Sequence, residues 1–185
     1  LAAVAFRVRR AIDNAIDPRA IPRADKRHLD QDYLSTYFTG AGFALKRDVF
    51  IEAGLFWEAL FYGGEELDLS YRFLDMGYEI LCPQAIEVLH LDVQAEREPG
   101  QWVYYNARNR CWVATRNLPW LCVISTTLLW WAKTFAVGIA RGEFKYFVRG
   151  VRDSMLGWSE AKRKRHPIGA PARRELRRRS GRLWY

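Results

Sequence analysis

The chain has few of the residues that build disulfide scaffolds and zinc sites. It contains three cysteines (Cys82, Cys111 and Cys122) and three histidines, with no C-x-x-C and no zinc-ligand spacing between them. An odd number of cysteines in apolar surroundings is typical of buried free thiols in a reducing compartment. The composition therefore excludes a disulfide-stapled scaffold and a Cys/His zinc module.

A signal peptide and an internal repeat are also lacking. The opening L-A-A-V-A-F is followed at once by R-V-R-R, so its apolar run is too short for a secretory signal. The chain starts at Leu1 rather than at a methionine, and we expect it to be a fragment of a longer protein.

The composition indicates a folded chain with a basic end. Half of its 185 residues are hydrophobic and 15% are aromatic, which excludes a disordered chain and allows one sizeable core. The formal net charge is +8, and bases far outnumber acids from Arg141 onward. A basic segment beside an apolar one favours an anionic membrane surface as partner, with nucleic acid or simple solvation as alternatives.

The most informative segment runs from residue 62 to residue 90. It opens with two glycines, which permit backbone angles that other residues avoid. The predicted helix that follows carries three acids in its first turn: Glu65, Glu66 and Asp68. A helix N-terminus keeps such acids ionised, as a general base for a hydroxyl nucleophile requires. The alternative is helix capping with a structural pair between Asp68 and Arg72.

This segment resembles the C-terminal half of the catalytic domain of inverting GT-A glycosyltransferases of family 2. The residues that follow the family pattern in order are Gly42, Arg47, Phe50, Gly54, Phe56, Glu58, Phe61, Glu65, Glu66, Asp68, Leu69, Arg72, Gly77, Tyr78, Ile80, Pro83, Ala85, Val88 and His90. Downstream, Y-Y-N-A-R-N-R at 104–110 is similar to a helix of the branch that includes rhamnosyl- and galactofuranosyltransferases. The match covers roughly residues 37–117.

The resemblance implies an α/β fold and a set of catalytic roles. The fold would be the acceptor-side half of a GT-A, Rossmann-like domain, followed by apolar and amphipathic helices. Glu66 stands where the family usually has its catalytic Asp, so it is the predicted base, with Glu65 and then Asp68 as fallbacks. His90 is the predicted ligand of a divalent cation (Mg or Mn) on the donor diphosphate.

The upstream D-x-D motif of the family has no good counterpart. The literal match, Asp30-Gln31-Asp32, follows R-A-D-K-R-H-L rather than a buried strand, and we interpret it as chance. Residues 1–36 cannot supply the family's nucleotide-binding β-α-β units. We therefore expect the donor half to be absent and the chain to be inactive alone.

Acceptor-binding residues follow from the same resemblance. Trp57 and Phe61 precede the acids and are expected to stack on a sugar ring, although aromatics in such loops are as often core residues. Arg108 is expected to contact an anionic group or to cap the acidic helix. Three small residues are expected to let the acceptor approach the backbone: Gly40, Ala41 and Gly42.

Hydrophobic periodicity predicts most of the helices and strands. We expect helices over 46–53 (ended by Gly54), 65–76, 101–117 and 118–140, and an amphipathic helix built on Phe144, Phe147, Val148, Val151 and Met155. Strands are expected over 37–45, 78–81 and 85–91, with Ile86, Val88 and His90 on one face. Residues 1–10 fit a strand or a short helix, 13–32 and 91–100 read as loops, and the basic end is expected to be poorly ordered.

The apolar helix indicates membrane association. Residues 118–139 are long enough to cross a bilayer. The next helix carries Lys145, Arg149 and Arg152 on its polar positions, as interfacial helices do. We favour interfacial helices at the cytoplasmic face of the cell membrane over helices buried against the domain or a true span. The expected parts are a catalytic portion (1–117), a membrane-associated segment (118–157) and a basic tail (158–185).

The predicted function is transfer of a sugar, with inversion, from a nucleotide-sugar to a hydroxyl of a lipid-linked glycan in cell-surface polysaccharide or cell-wall synthesis. One alternative is a membrane-associated domain that keeps the fold without the chemistry. The other, a basic nucleic-acid-binding module, is disfavoured because the Lys/Arg clusters lack a recognisable reading motif.

Overall fold

Strands dominate the first part of the chain and helices the last in the computed structural model, which describes residues 1–23, 29–91, 98–179 and 181. The strands are β1 (Ala3–Ala5), β2 (Arg7–Arg10), β3 (Tyr33–Ser35), β4 (Phe43–Leu45), β5 (Ile80–Cys82) and β6 (Glu87–His90). The α-helices are α1 (Arg47–Glu52), α2 (Glu65–Asp75), α3 (Gln101–Asn117), α4 (Trp120–Ala140), α5 (Phe144–Leu156), α6 (Trp158–Arg163) and α7 (Ala170–Arg178). The predicted α/β class is confirmed at this level, with a mixed sheet.

The described residues divide into two compact units. The first comprises those of Leu1–Phe56, Leu69–Gln94 and Gly169–Arg182, and the second those of Trp57–Asp68 and Ala95–Ile168. Helix α2 contributes its first four residues to the second unit and the remainder to the first.

The sheets of the first unit are built from very short strands. Four strands pair in the order β3-β5-β1-β4, and β1 runs parallel to β5 and antiparallel to β4. A separate parallel pair joins β2 to β6, with Arg7 opposite Glu87 and Arg10 opposite His90. Residues 1–10 are therefore strands rather than a helix. The strand expected over 37–45 is confined to β4, and a turn precedes it.

The core of the first unit is formed by one face of α2 against the four-stranded sheet. Leu69 and Phe73 lie one helical turn apart, and both are fully buried. They join a cluster of buried residues that also contains Ala2, Ala3, Ala5, Phe38, Val49, Ala53, Ile80 and Cys82. The small alanines of β1 leave room for these aromatic and branched side chains. The i, i+4 spacing of Leu69 and Phe73 determines which face of α2 is buried.

In the second unit α3 packs against α4, α5 and α6. Gly150 of α5 lies so close to α3 that an added Cβ would stand 2.6 Å from the Tyr104 carbonyl oxygen and 2.9 Å from Ala107 Cβ. Only a residue without a side chain permits this approach, because a methyl group would overlap with backbone atoms of α3.

The basic end differs from its prediction, because it contains the ordered helices α6 and α7. Arg165 donates hydrogen bonds to the Thr115 carbonyl and, at 2.7 Å, to the Leu118 carbonyl. The backbone N–H groups of His166 and Ile168 donate to the carbonyls of residues 116 and 117 at 2.8 and 2.9 Å. The last carbonyls of a helix have no partner within it, so this segment is ordered by satisfying the C-terminus of α3.

The three cysteines are free, and Cys82 and Cys111 are buried while Cys122 is half-buried. Burial raises the pKa of the Cys82 and Cys111 thiols above the usual value. The predicted buried free thiols are thus confirmed for Cys82 and Cys111.

Two glycine substitutions test the close approach of α5 to α3. We expect Gly150→Ala to lower the free energy of unfolding by about 1–3 kcal/mol, because the new methyl group overpacks the contact with Tyr104. Gly138→Ala is the matched control, because its Cβ would meet neighbouring atoms at 3.5–3.6 Å, an ordinary contact distance. The control should gain about 0.5–1 kcal/mol from helix propensity. Urea unfolding of both variants measures the difference, and equal effects would contradict the packing account.

Candidate functional site

The predicted acidic helix is present and starts directly after two glycines in left-handed backbone conformations. Gly63 has φ +75° and Gly64 has φ +105°. A Cβ at Gly64 would also touch Val113 at 3.4 Å, so the turn into α2 requires glycine there. Helix α2 runs over Glu65–Asp75 and carries its three acids in the first turn, as the sequence predicts.

Asp68, one of the three candidate bases, is completely buried and engaged at both oxygens. Its Oδ2 lies 2.7 Å from Arg116 Nη1, and its Oδ1 accepts a hydrogen bond from Asn117 Nδ2 at 2.7 Å. A carboxylate held in this way joins α2 to the end of α3 and is the least suited of the three acids to accept a substrate proton. Arg72, expected beside Asp68, donates to the carbonyls of Ala53 and, at 2.7 Å, of Leu55.

A second Arg–Asn pair of α3 holds the loop that precedes the acids. The buried Asn109 amide donates to the carbonyl oxygens of Leu60, Tyr62 and Gly63 at 2.8–2.9 Å. Arg108 Nη2 donates to the Ala59 carbonyl at 2.8 Å and to the Leu60 carbonyl at 3.2 Å. The Arg108 guanidinium also lies 4.5 Å from the centroid of Trp112. Arg108 thus orders the backbone of the loop. The two roles expected for it were contact with an anionic group and capping of the acidic helix, so this role was not predicted.

Glu65 and Glu66 are the acids of the first turn that remain partly exposed. Glu65 Oε2 is buried and has no hydrogen-bond partner among the described residues. Both carboxylates stand at the N-terminus of α2, where the helix dipole stabilises negative charge. This turn therefore offers carboxylates near the surface on a backbone that α3 holds in place.

Phe61 is displayed on the surface by a strained turn. Its backbone has φ 54° and ψ −49°, and the Tyr62 N–H reaches the Leu60 carbonyl at 2.6 Å across it, which makes a γ-turn of positive φ. The side chain is 77% exposed, with its ring centroid 5.9 Å from that of Tyr105. Tyr62 lies 5.4 Å from Tyr105, so Phe61, Tyr62 and Tyr105 form a surface aromatic cluster. Strain of this kind persists where the surroundings enforce it, often at functional sites.

Trp57 is not available to stack on a sugar, which corrects its predicted acceptor role. The side chain is only 7% exposed, and its ring packs 5.8 Å from Trp112. Its indole N–H donates to Glu160 Oε1 at 3.3 Å, and the Arg116 guanidinium lies 5.4 Å from its centroid. The alternative interpretation, a core residue, is the one that the structure supports.

Gly40, Ala41 and Gly42 lie in the turn before β4, within the first unit. A Cβ at Gly42 would meet Val88 Cγ2 at 2.8 Å and Phe6 at 3.2 Å. The space beside Gly42 is therefore used by the chain itself, and its lack of a side chain is explained by packing rather than by acceptor approach.

His90, the predicted metal ligand, ends β6 in the first unit. It pairs in register with Arg10, and its carbonyl accepts from the Ala11 N–H at 3.2 Å. Within residues 1–23, 29–91, 98–179 and 181, no three His, Cys, Asp or Glu side chains come together as a metal-binding group. His90 alone does not constitute a site for a divalent cation, so no chemical step is derived through one.

The literal D-x-D match has a structural explanation. Asp32 Oδ1 accepts a hydrogen bond from the Gln84 backbone N–H at 2.7 Å, and both Asp30 and Asp32 are exposed. This contact agrees with the interpretation of the match as chance.

Sequence reasoning missed the role of Arg116 and Asn117. Residues 108–109 and 116–117 are both Arg–Asn, and they lie eight positions apart on the predicted helix, about 80° apart around its axis. This repetition was the available signal, because one pair holds the loop and the other holds Asp68.

Comparison with known proteins adds nothing to this geometry: no protein-family model matches the chain, and no curated protein matches it.

Removal of the Asn109 amide tests how the loop is held. We expect Asn109→Ala to lower the free energy of unfolding by about 1–3 kcal/mol, because the carbonyl oxygens of Tyr62 and Gly63 lose this donor and that of Leu60 keeps only its other donors. Hydrogen exchange at residues 60–64 should accelerate in the same variant. Asn106→Ala is the control, because the Asn106 amide donates to the Trp102 carbonyl of its own helix, and it should change stability by about 0.5 kcal/mol or less. Unchanged exchange in Asn109→Ala would refute this role.

Proposed function

We propose that this chain is the acceptor-side half of an inverting family 2, GT-A-type glycosyltransferase. The reaction is transfer of a sugar from a nucleotide-sugar to a hydroxyl of a lipid-linked glycan, in the synthesis of cell-surface polysaccharide or cell-wall glycan. The supporting observation is the first turn of α2, where partly exposed Glu65 and Glu66 follow a loop that α3 holds and that displays Phe61.

Glu66 is the general base in this proposal. Its carboxylate takes the proton of the acceptor hydroxyl while the hydroxyl oxygen forms a bond to the anomeric carbon. The bond from that carbon to the nucleotide diphosphate breaks on the opposite face, so the configuration inverts. Glu65 is the alternative base, and the engagement of both Asp68 oxygens argues against that residue.

The acceptor site is proposed at the aromatic cluster of Phe61, Tyr62 and Tyr105. An exposed ring offers an apolar face to the C–H side of a sugar, and the neighbouring carboxylates offer acceptors for its hydroxyls. Phe61 carries this role, since Trp57 is buried and Arg108 is engaged by the loop.

Peripheral attachment to the cytoplasmic face of a membrane is supported by the exposed apolar side of α4. The helix is long and apolar enough to cross a membrane by length and composition alone, and 28% of its most apolar window is buried. Its exposed large side chains include Leu121, Ile124, Leu128, Phe135 and Ile139. The exposed bases of α5 are Lys145, Arg149 and Arg152, which suit anionic headgroups.

The second candidate is a membrane-associated domain with the fold and without the chemistry. It is favoured by Glu in place of Asp at position 66 and by the lack of a metal-binding group within the described part of the chain. A requirement for a divalent cation is therefore implied only by the resemblance to the glycosyltransferase family. Binding of a specific nucleic acid is not proposed.

Substitution of Glu66 tests the transferase proposal. The protein, expressed from its full natural gene in membranes, is assayed for sugar release and transfer over a panel of nucleotide-sugars. We expect Glu66→Gln to lower turnover by about two or more orders of magnitude, because it removes the base and keeps the side-chain size. Glu58→Gln is the control, since Glu58 is an exposed acid of the preceding 3-10 turn, and it should retain turnover. Full turnover in Glu66→Gln would move the base to Glu65, and no turnover in the wild type with any donor would favour the non-catalytic domain.

A further inference from the structure

Two tryptophans of the second unit carry three cations on their rings. Trp102 of α3 and Trp130 of α4 lie 6.5 Å apart, centroid to centroid. Lys133 Nζ lies 4.5 Å from the Trp130 centroid and 5.8 Å from that of Trp102. The guanidinium of Arg110 lies 4.1 Å from Trp130, and that of Arg141 lies 5.8 Å from Trp102. The three positive charges are thus gathered around one pair of indoles, which we call the Trp–cation cluster.

Lys133 and Arg141 have no acidic counterpart in the described ranges. No carboxylate there lies within ion-pair distance of either group, whereas Arg149 and Arg152 both pair with Asp153. Indole faces attract cations but carry no net charge, so the positive charge of the cluster is not neutralised by these contacts.

Burial and the nearby Arg110 charge lower the pKa of Lys133, in that order of importance. The ammonium is therefore placed where its charge is less favourable than in water, and a bound anion would relieve this cost. This effect agrees with the geometry.

Trp130 supplies an independent observation. Its side chain is only 9% exposed, and its indole Nε1–H is buried with no hydrogen-bond acceptor among the described residues. A buried donor without a partner is unfavourable, so such groups usually have a ligand or water to satisfy them. The ring that carries two of the cations thus also carries an unused donor.

We propose that the Trp–cation cluster binds a phosphate-type oxyanion. Two exposed cations, the neighbouring Arg110 and an unpaired N–H match the charge and the acceptor oxygens of a phosphate or diphosphate group. The proposal is independent of the transferase function, because none of its residues belongs to the first turn of α2 or to the aromatic cluster.

Lys133 lies one helical turn after the exposed Leu129, on a different side of α4 from the exposed apolar residues 121, 124, 128, 135 and 139. Its position is turned by well over 90° around the helix axis from the middle of that stripe, given about 100° per residue. The phosphate group has two sources, a soluble phosphate compound or a phosphomonoester lipid headgroup, and the test has one arm for each.

The first arm measures binding of inorganic diphosphate to the full chain by titration calorimetry at constant ionic strength. We expect saturable binding that falls by about tenfold or more in Lys133→Gln and in Arg141→Gln, as the loss of a charge-assisted contact predicts. Trp130→Phe keeps an aromatic ring, although a smaller one, and removes the N–H, and it should weaken binding by a smaller factor. Arg47→Gln, which removes an exposed charge that pairs with Asp48, is the matched control and should bind as the wild type does.

The second arm measures co-sedimentation with neutral vesicles that contain a phosphatidylinositol monophosphate. Binding of soluble diphosphate with the stated variant pattern supports a soluble source. Lys133- and Arg141-dependent binding to these vesicles alone supports the lipid source. If neither probe binds, or if Arg47→Gln weakens binding as much as Lys133→Gln, the proposal is wrong. Neither binding measurement requires sugar transfer, so failure of the transferase proposal leaves this test unaffected.

Discussion

The contacts of α3 with residues 59–68 are the constraint on which the candidate site depends. The pair Arg108–Asn109 satisfies the carbonyls of the loop, and the pair Arg116–Asn117 satisfies both oxygens of Asp68. Buried carbonyls and carboxylates are costly without donors, so the loop and the start of α2 are held where α3 offers those donors. Helix α3 in turn depends on Arg165, which satisfies carbonyls at its C-terminus.

This arrangement separates three acids that look equivalent in the sequence. Asp68 is buried and serves as a structural anchor, and Glu65 and Glu66 stay partly exposed in the same turn. The two aromatic residues predicted to bind the acceptor also differ in their exposure. Trp57 packs against Trp112 in the interior, and the γ-turn at residue 61 displays Phe61 on the surface. A rigid backbone that exposes both a carboxylate and an aromatic ring is what positioning of a polar, ring-shaped acceptor requires.

The long helices were predictable almost to the residue, because each is a long uninterrupted segment between local end signals. Helix α3 has the predicted bounds, and Gly54 follows α1 with φ +83°, as a helix-ending glycine does. The short strands were less predictable, because three or four residues carry little periodicity and pairing depends on distant partners. The prediction that the basic end is poorly ordered was wrong for a related reason. Its charges indicate solvation, yet Arg165 meets carbonyls nearly 50 residues earlier in the chain.

Local sequence patterns account for the helices, the left-handed glycines and the acids at the head of α2, and through them for the class of fold. These features depend on neighbours within a few residues, through φ/ψ preferences and helical spacing. Packing of the whole chain determines which of those residues are buried, which are held by hydrogen bonds or ion pairs, and which remain accessible. Arg116 and Asp68 stand 48 residues apart, and no local pattern specifies that one will neutralise the other. Burial and hydrogen bonding are properties of partners brought together by folding, so the burial of Asp68 and Trp57 and the exposure of Phe61 emerged only from the packed chain.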